Sequence, residues 1–134
     1  MAALTPAQRL KKAVINIMQE PRYAPLAGVL LPGTKEVVDD IPTARTNGID
    51  EQYSRAFIEK LSDPELRFLV LHECLHKVMR HVQLWEILDH KILANVASDL
   101  VINNTLTDEN AKDNFATMPK DSMGEPIGLI DPQY

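Results

Sequence analysis

The residues in this chain best suited to chemistry are His72, Glu73 and His76, set in the run His72-Glu73-Cys74-Leu75-His76. On an α-helix, residues four apart stand only about 40° from one another around the axis, so two imidazoles can grip one metal ion. Glu73 lies about 100° from His72, close enough to work on a water at the metal without ligating it. The metal expected is zinc, which in catalytic sites takes three protein ligands and keeps a fourth position for water. Zinc would draw the pKa of that water toward about 7 and polarise a carbonyl, with Glu73 as general base. A metal held for structure alone has no need of a base beside it, so Glu73 favours catalysis.

Three residues compete for the third ligand position: His81, His90 and Asp99. On a continuous helix His81 stands about 180° from His72 and about 140° from His76, so it points away. No glycine lies between His76 and His81 to turn the chain back, so the extended histidine pattern of the metzincins is absent. His90 falls in the connection to the next helix and stays open as a candidate. Asp99 is preferred. It lies about 60° from Val96 and about 20° from Ile92, on the apolar side of that helix. A carboxylate there must be paired, hydrogen-bonded or bound to metal. Asn95 and Asn103 flank it by four residues on the same face, where they suit hydrogen bonds around the site or plain capping and packing. Cys74 is about 200° from His72 and reads as core. Met118 and Met123 have no spacing that ties them to the metal.

The motif depends on the elements that carry it. Ser62-Asp63-Pro64-Glu65 has the form of a capping box with proline in the first turn, so the motif helix starts near Asp63. Leu66, Leu69, Val70, Leu71, Leu75, Val78, Met79 and Val82 make it apolar around most of its circumference, a central buried helix. A second long helix is expected from about His90 to Thr107, capped by Asp89, with Ile92, Leu93, Val96, Ala97, Leu100, Val101 and Leu106 inward. Ahead of these, Thr5-Pro6-Ala7-Gln8 opens an N-terminal helix with Leu10, Ala13, Val14, Ile17 and Met18 as its stripe, ended by Pro21. Leu26 to Leu31 is short and apolar, Pro32-Gly33-Thr34 is a turn signal, Lys35 to Ile41 and Pro42 to Thr46 carry β-branched residues, and Asn47-Gly48 reads as a tight hairpin turn into Ile49 to Tyr53. Three or four mostly antiparallel strands are expected, with Pro42 marking an edge or a strand start. Ser54 to Leu61 reads as a short helix with Phe57, Ile58 and Leu61 inward. From Asp108 to Tyr134 the chain turns polar and rich in Pro and Gly, a loop-rich tail tied down by Phe115, Met118, Ile127, Leu129 and Ile130.

At 134 residues the chain has room for one domain and one core. Its net charge of −5 argues against a nucleic-acid surface. One cysteine excludes an internal disulfide and suits a reducing compartment. No apolar signal core and no run near the roughly 20 residues of a membrane span is present, so a cytoplasmic protein without a membrane partner is expected. The fold class expected is α+β: an N-terminal helix, a small mostly antiparallel sheet, and a motif helix packed on a second long helix.

Several blocks in this order resemble a predicted zincin-type metallopeptidase domain family of bacteria and phages, often joined to a von Willebrand factor A-like domain. They are Ile41-Pro42-Thr43-Ala44-Arg45-Thr46-Asn47-Gly48, Leu61-Ser62-Asp63-Pro64-Glu65-Leu66, and His72 to His76 with His81. The series continues through Asn95-Val96-Ala97-Ser98-Asp99 and Ile102-Asn103 to Gly128-Leu129-Ile130-Asp131-Pro132. The resemblance implies a zincin-like fold over residues 1–134, zinc at His72 and His76, and Asp99 as third ligand. Glutamate-type zincins place a Glu four residues before that Asp; here the position is Asn95, a register in which Asp99 would orient a histidine instead. Members of the family continue beyond the last block, so part of the substrate wall is expected from a further C-terminal region or a partner protein. The function expected is zinc-dependent hydrolysis of a peptide or protein lying extended along residues 43–46. The competing expectation is a metal-binding regulatory or interaction module without turnover. Arg80 and Tyr134 are conceivable oxyanion donors that no spacing singles out.

Overall fold

The computed structural model describes residues 3–79 and 91–120, and for 91–96 the backbone alone. Helix α1 spans Pro6–Gln19 and is closed at its start by the expected capping box: the Gln8 backbone N–H donates to Thr5 Oγ1 at 3.2 Å, and the Thr5 N–H to Gln8 Oε1 at 2.9 Å. Leu10, Ala13 and Ile17 are its buried stripe, with Val14 and Met18 packed beside them. The helix stops at Glu20, whose extended backbone is what the following Pro21 requires.

Leu26 to Leu31, read in sequence as an apolar run among strands, is helical. A 3-10 turn over Ala24–Leu26 passes into a one-turn helix α2, Ala27–Leu30, that buries Leu30. Short apolar runs carry no period of their own, and Pro25 suits a first helical turn.

Three strands follow: β1, Lys35–Val38; β2, Ala44–Thr46; and β3, Glu51–Ser54. Their order is β1-β3-β2. β2 and β3 are an antiparallel hairpin with Ala44 opposite Tyr53 and Thr46 opposite Glu51. β1 lies parallel to β3, Lys35 beside Glu51 and Val37 beside Tyr53. The sheet is therefore mixed, not mostly antiparallel. Turn residues mark where a chain reverses but not which edge the next strand joins, and here the 39–43 link carries β2 to the far side of β3.

The Asn47-Gly48 turn is present, with Gly48 at φ +97°, but the connection is wider than a two-residue hairpin. Asn47 Oδ1 accepts from the backbone N–H of Ile49 at 2.9 Å and of Asp50 at 2.7 Å, which delays β3 to Glu51. Gly33, at φ +81°, is pressed against this loop: a Cβ there would sit 2.0 Å from the Ile49 carbonyl oxygen. Gly33→Ala is expected to cost more than about 1 kcal/mol, since the side chain meets both a left-handed backbone and a fixed wall. A urea midpoint equal to that of the wild type would refute this.

Helix α3, Arg55–Lys60, is capped by Ser54 and buries Phe57 and Ile58, with Leu61 inward at its end. Helix α4, Asp63–Val78, opens on the Ser62–Glu65 capping box with Pro64 in its first turn. It is buried around nearly its whole circumference from Leu66 to Lys77. Val78 and Met79, grouped by hydropathy with the inward face, are partly exposed at its end. Arg9 locks α1 to the α3–α4 junction by donating to the carbonyls of Ile58 and Leu61, both at 2.7 Å, and pairing with Asp63 at 3.1 Å.

Helix α5, Lys91–Glu109, packs on α4. Its inward face is Asp99, Ile102, Asn103 and Leu106, whereas Ala97, Leu100 and Val101 are exposed, the last two by 50 % and 55 %. Asp99 and Leu106 are thus inward as expected, whereas Ala97, Leu100 and Val101 are not, because this helix is apolar on more than one side. Beyond α5, the Thr117 N–H donates to the Pro64 carbonyl and Arg67 Nε to the Phe115 carbonyl, fastening residues 115–117 to the start of α4. Among the described residues the result is an α+β architecture of five helices and a small mixed sheet. None of these helices is long and apolar enough to cross a membrane.

Candidate metal centre

α4 presents His72 and His76 one turn apart, and α5 delivers Asp99 between them. His72 Nε2 lies 3.0 Å from Asp99 Oδ1, His76 Nε2 lies 2.7 Å from the same oxygen, and the two Nε2 atoms are 3.1 Å apart. Asn103, one turn further along α5, puts Oδ1 2.7 Å from His72 Nδ1. As numbering rises along α5 the contacts move back along α4, so the two helices run antiparallel. Glu73 is buried beside His72. His72, Glu73, His76 and Asp99 are each between 1 % and 3 % exposed.

Two imidazole nitrogens and a carboxylate oxygen aimed at one point are all electron-pair donors. Protons can reconcile them only in part. Burial pulls the His72 imidazole down, but its hydrogen bond to Asp99 and the neighbouring Glu73 charge outweigh this and leave its pKa above the ordinary value. Burial also pulls His76 down, and there it prevails. Burial pushes Asp99 up, yet the hydrogen bonds from both histidines hold it below the usual carboxylate range. A cation at the centre satisfies all three groups together. Ligand atoms at bond lengths of about 2.0 Å from a tetrahedral ion stand about 3.3 Å apart, close to the separations here. Asp99 Oδ2, buried and without a hydrogen-bond partner among the described residues, also suits a carboxylate turned to a cation. The donor set His72, His76 and Asp99 could hold a metal ion.

The structure thus brings together His72, Glu73, His76 and Asp99. His81, His90, Arg80 and Tyr134 lie outside the described residues, as do the Asn95 side chain and Met123. Met118 packs partly buried against the core. Cys74 is buried in the core, which raises its thiol pKa to about 11.

A second buried polar group, not singled out in the sequence, lies between α4 and the sheet. Glu51 on β3 is fully buried and accepts from Tyr53 Oη at 2.6 Å, while its other oxygen pairs with Lys77 at 3.0 Å and Lys35 at 3.1 Å. Lys77 also donates to the Pro32 carbonyl at 3.2 Å, and Lys35 to that of Leu30. The signal was there to read: Glu51 and Tyr53 share one face of a strand, and Lys77 is one residue past the motif.

No curated protein and no solved structure matches the chain at a significant level. A family model does match, over residues 5–122, a span that holds α1, the sheet, α4 and α5 with every residue of the centre. On that match the chain belongs to the family described as "Putative metallopeptidase domain".

Proposed function

We propose that this protein is a zinc-dependent peptidase of the zincin type, with zinc held by His72, His76 and Asp99 and with Glu73 as general base. The observation that carries the reading is the convergence of two imidazole nitrogens and one buried carboxylate, with a second carboxylate beside them that is not part of the donor set. Two nitrogens and one oxygen suit zinc, and three protein ligands leave a fourth position open. Zinc bound there would acidify a water and polarise the scissile carbonyl. Glu73 takes the proton of the attacking water and passes it to the leaving amine as the peptide bond breaks. Its buried place on α4 keeps bulk water from competing for that proton.

The substrate is a peptide or protein chain. β2 packs against α4 and is bonded on one side to β3, so its outer edge can take an extended peptide as an added strand along residues 43–46.

Elemental analysis of the purified protein should find about one zinc per chain, which His72→Ala or His76→Ala removes. Peptide-library cleavage should vanish with a chelator and return with zinc. A metal-free wild type would overturn the reading. Bound zinc with no cleavage of any peptide would overturn the enzyme and leave a metal-binding interaction module.

A further inference from the structure

We infer that Asn103 is a positioning residue for the metal centre, fixing the His72 ring through its Nδ1–H so that Nε2 is the nitrogen presented to a metal. The inference deepens the reading above and rests on it.

A side-chain carbonyl oxygen can only accept, so at 2.7 Å from Asn103 Oδ1 the His72 Nδ1 carries the hydrogen. Nε2, at the other end of the ring and directed at Asp99 and His76, is then the nitrogen that can exchange its hydrogen for a metal. Were Asn103 absent, a neutral ring would keep its hydrogen on Nε2, toward Asp99, where it blocks a metal. Asn103 is buried, so water does not compete for the contact.

The arrangement follows from helix geometry. Asp99 and Asn103 are four residues apart on the inward face of α5, and His72 lies between them, held at both ring nitrogens by one turn of the opposing helix. The ligand competence of α4 therefore depends on α5 twice, once through a candidate ligand and once through the amide that orients a ligand.

The test compares wild type, Asn103→Leu and Asn103→Asp. Leucine has nearly the same volume but no acceptor, whereas aspartate keeps an oxygen at the same place. Zinc affinity, measured by competition with a chromophoric chelator, is expected to fall about 10–100-fold in Asn103→Leu and to be retained in Asn103→Asp. Nitrogen-15 ring shifts of His72 in the zinc-loaded protein should show zinc on Nε2 and a hydrogen-bonded Nδ1–H in the wild type, and a weakened Nδ1–H hydrogen bond in Asn103→Leu. A merely structural role would not move the Nδ1 resonance and would not be rescued by aspartate. Asn103→Leu binding zinc as tightly as wild type, or both variants weakening alike, would overturn the inference while the metal centre stands. A wild type that binds no zinc would instead bring down the centre itself, and this inference with it.

Discussion

Glu73→Gln is expected to slow peptide hydrolysis about 10²–10⁴-fold while leaving zinc in place. The two consequences separate because Glu73 lies beside the donor set without belonging to it. Glutamine keeps the length and nearly the volume of the side chain in a buried position, so the helix should tolerate it. What it loses is the ability to take a proton from water. The expected loss corresponds to about 3–5 kcal/mol of transition-state stabilisation, the usual worth of a positioned base. It should appear in kcat more than in KM, since proton transfer belongs to the transition state and not to substrate binding. Glu73→Asp, which keeps the carboxylate but draws it back by one methylene, should fall between wild type and Glu73→Gln. Zinc stoichiometry and kcat are the paired measurements. A Glu73→Gln protein that loses its zinc would make Glu73 a ligand, and one that retains kcat within about tenfold would remove it from the chemistry.

The second large effect concerns stability. Glu51→Ala is expected to destabilise the fold by about 3–5 kcal/mol, because it leaves Lys77, and in part Lys35, buried without their counter-charge. A buried ion pair contributes little over an apolar replacement of the whole group, but removing one partner exposes the full desolvation cost of the other. Tyr53 Oη loses its 2.6 Å acceptor at the same time, a further buried group left unmatched. Against a typical total of about 5–15 kcal/mol this is a large fraction, and the thermal midpoint should drop by about 10 °C or more. Lys77→Met should cost less, since Glu51 keeps Lys35 and Tyr53. Denaturation curves for the two variants give the comparison. A Glu51→Ala loss below about 1 kcal/mol would mean that the group is not sealed from water. The site would feel the change as well, because Lys77 directly follows His76 and ties that turn of α4 to the sheet.

Much of this protein is written in local chemistry. The capping boxes at Thr5–Gln8 and Ser62–Glu65, the prolines in both first turns and the i, i+4 spacing of His72 and His76 act within one or two turns of helix. The starts of α1, α4 and the short α3 could therefore be read directly, as could the buried character of α4 and the reversal at Asn47-Gly48. Asp99 was legible for a related reason: a lone acid on an apolar face demands a partner, and the preceding helix held two histidines that could supply it.

Other features depend on partners distant in the chain, and only tertiary structure decided them. β1 runs parallel to β3 because of the edge to which the 39–43 link carries β2, a choice that no turn residue encodes. Leu26 to Leu31 closes into helix because an apolar run of six takes its conformation from what it packs on. Along α5, hydropathy placed Leu100 and Val101 inward with Asp99 and Leu106, and contact with α4 kept the latter two, with Ile102 and Asn103, and left Leu100 and Val101 exposed. The Glu51 group needs β1, β3 and α4 assembled before its charges meet. The sequence alone thus determined which side chains could do the chemistry and the helix on which two of them stand. Packing of α5 on α4 decided which groups face them, because burial of a charge depends on long-range contacts and not on the residues beside it.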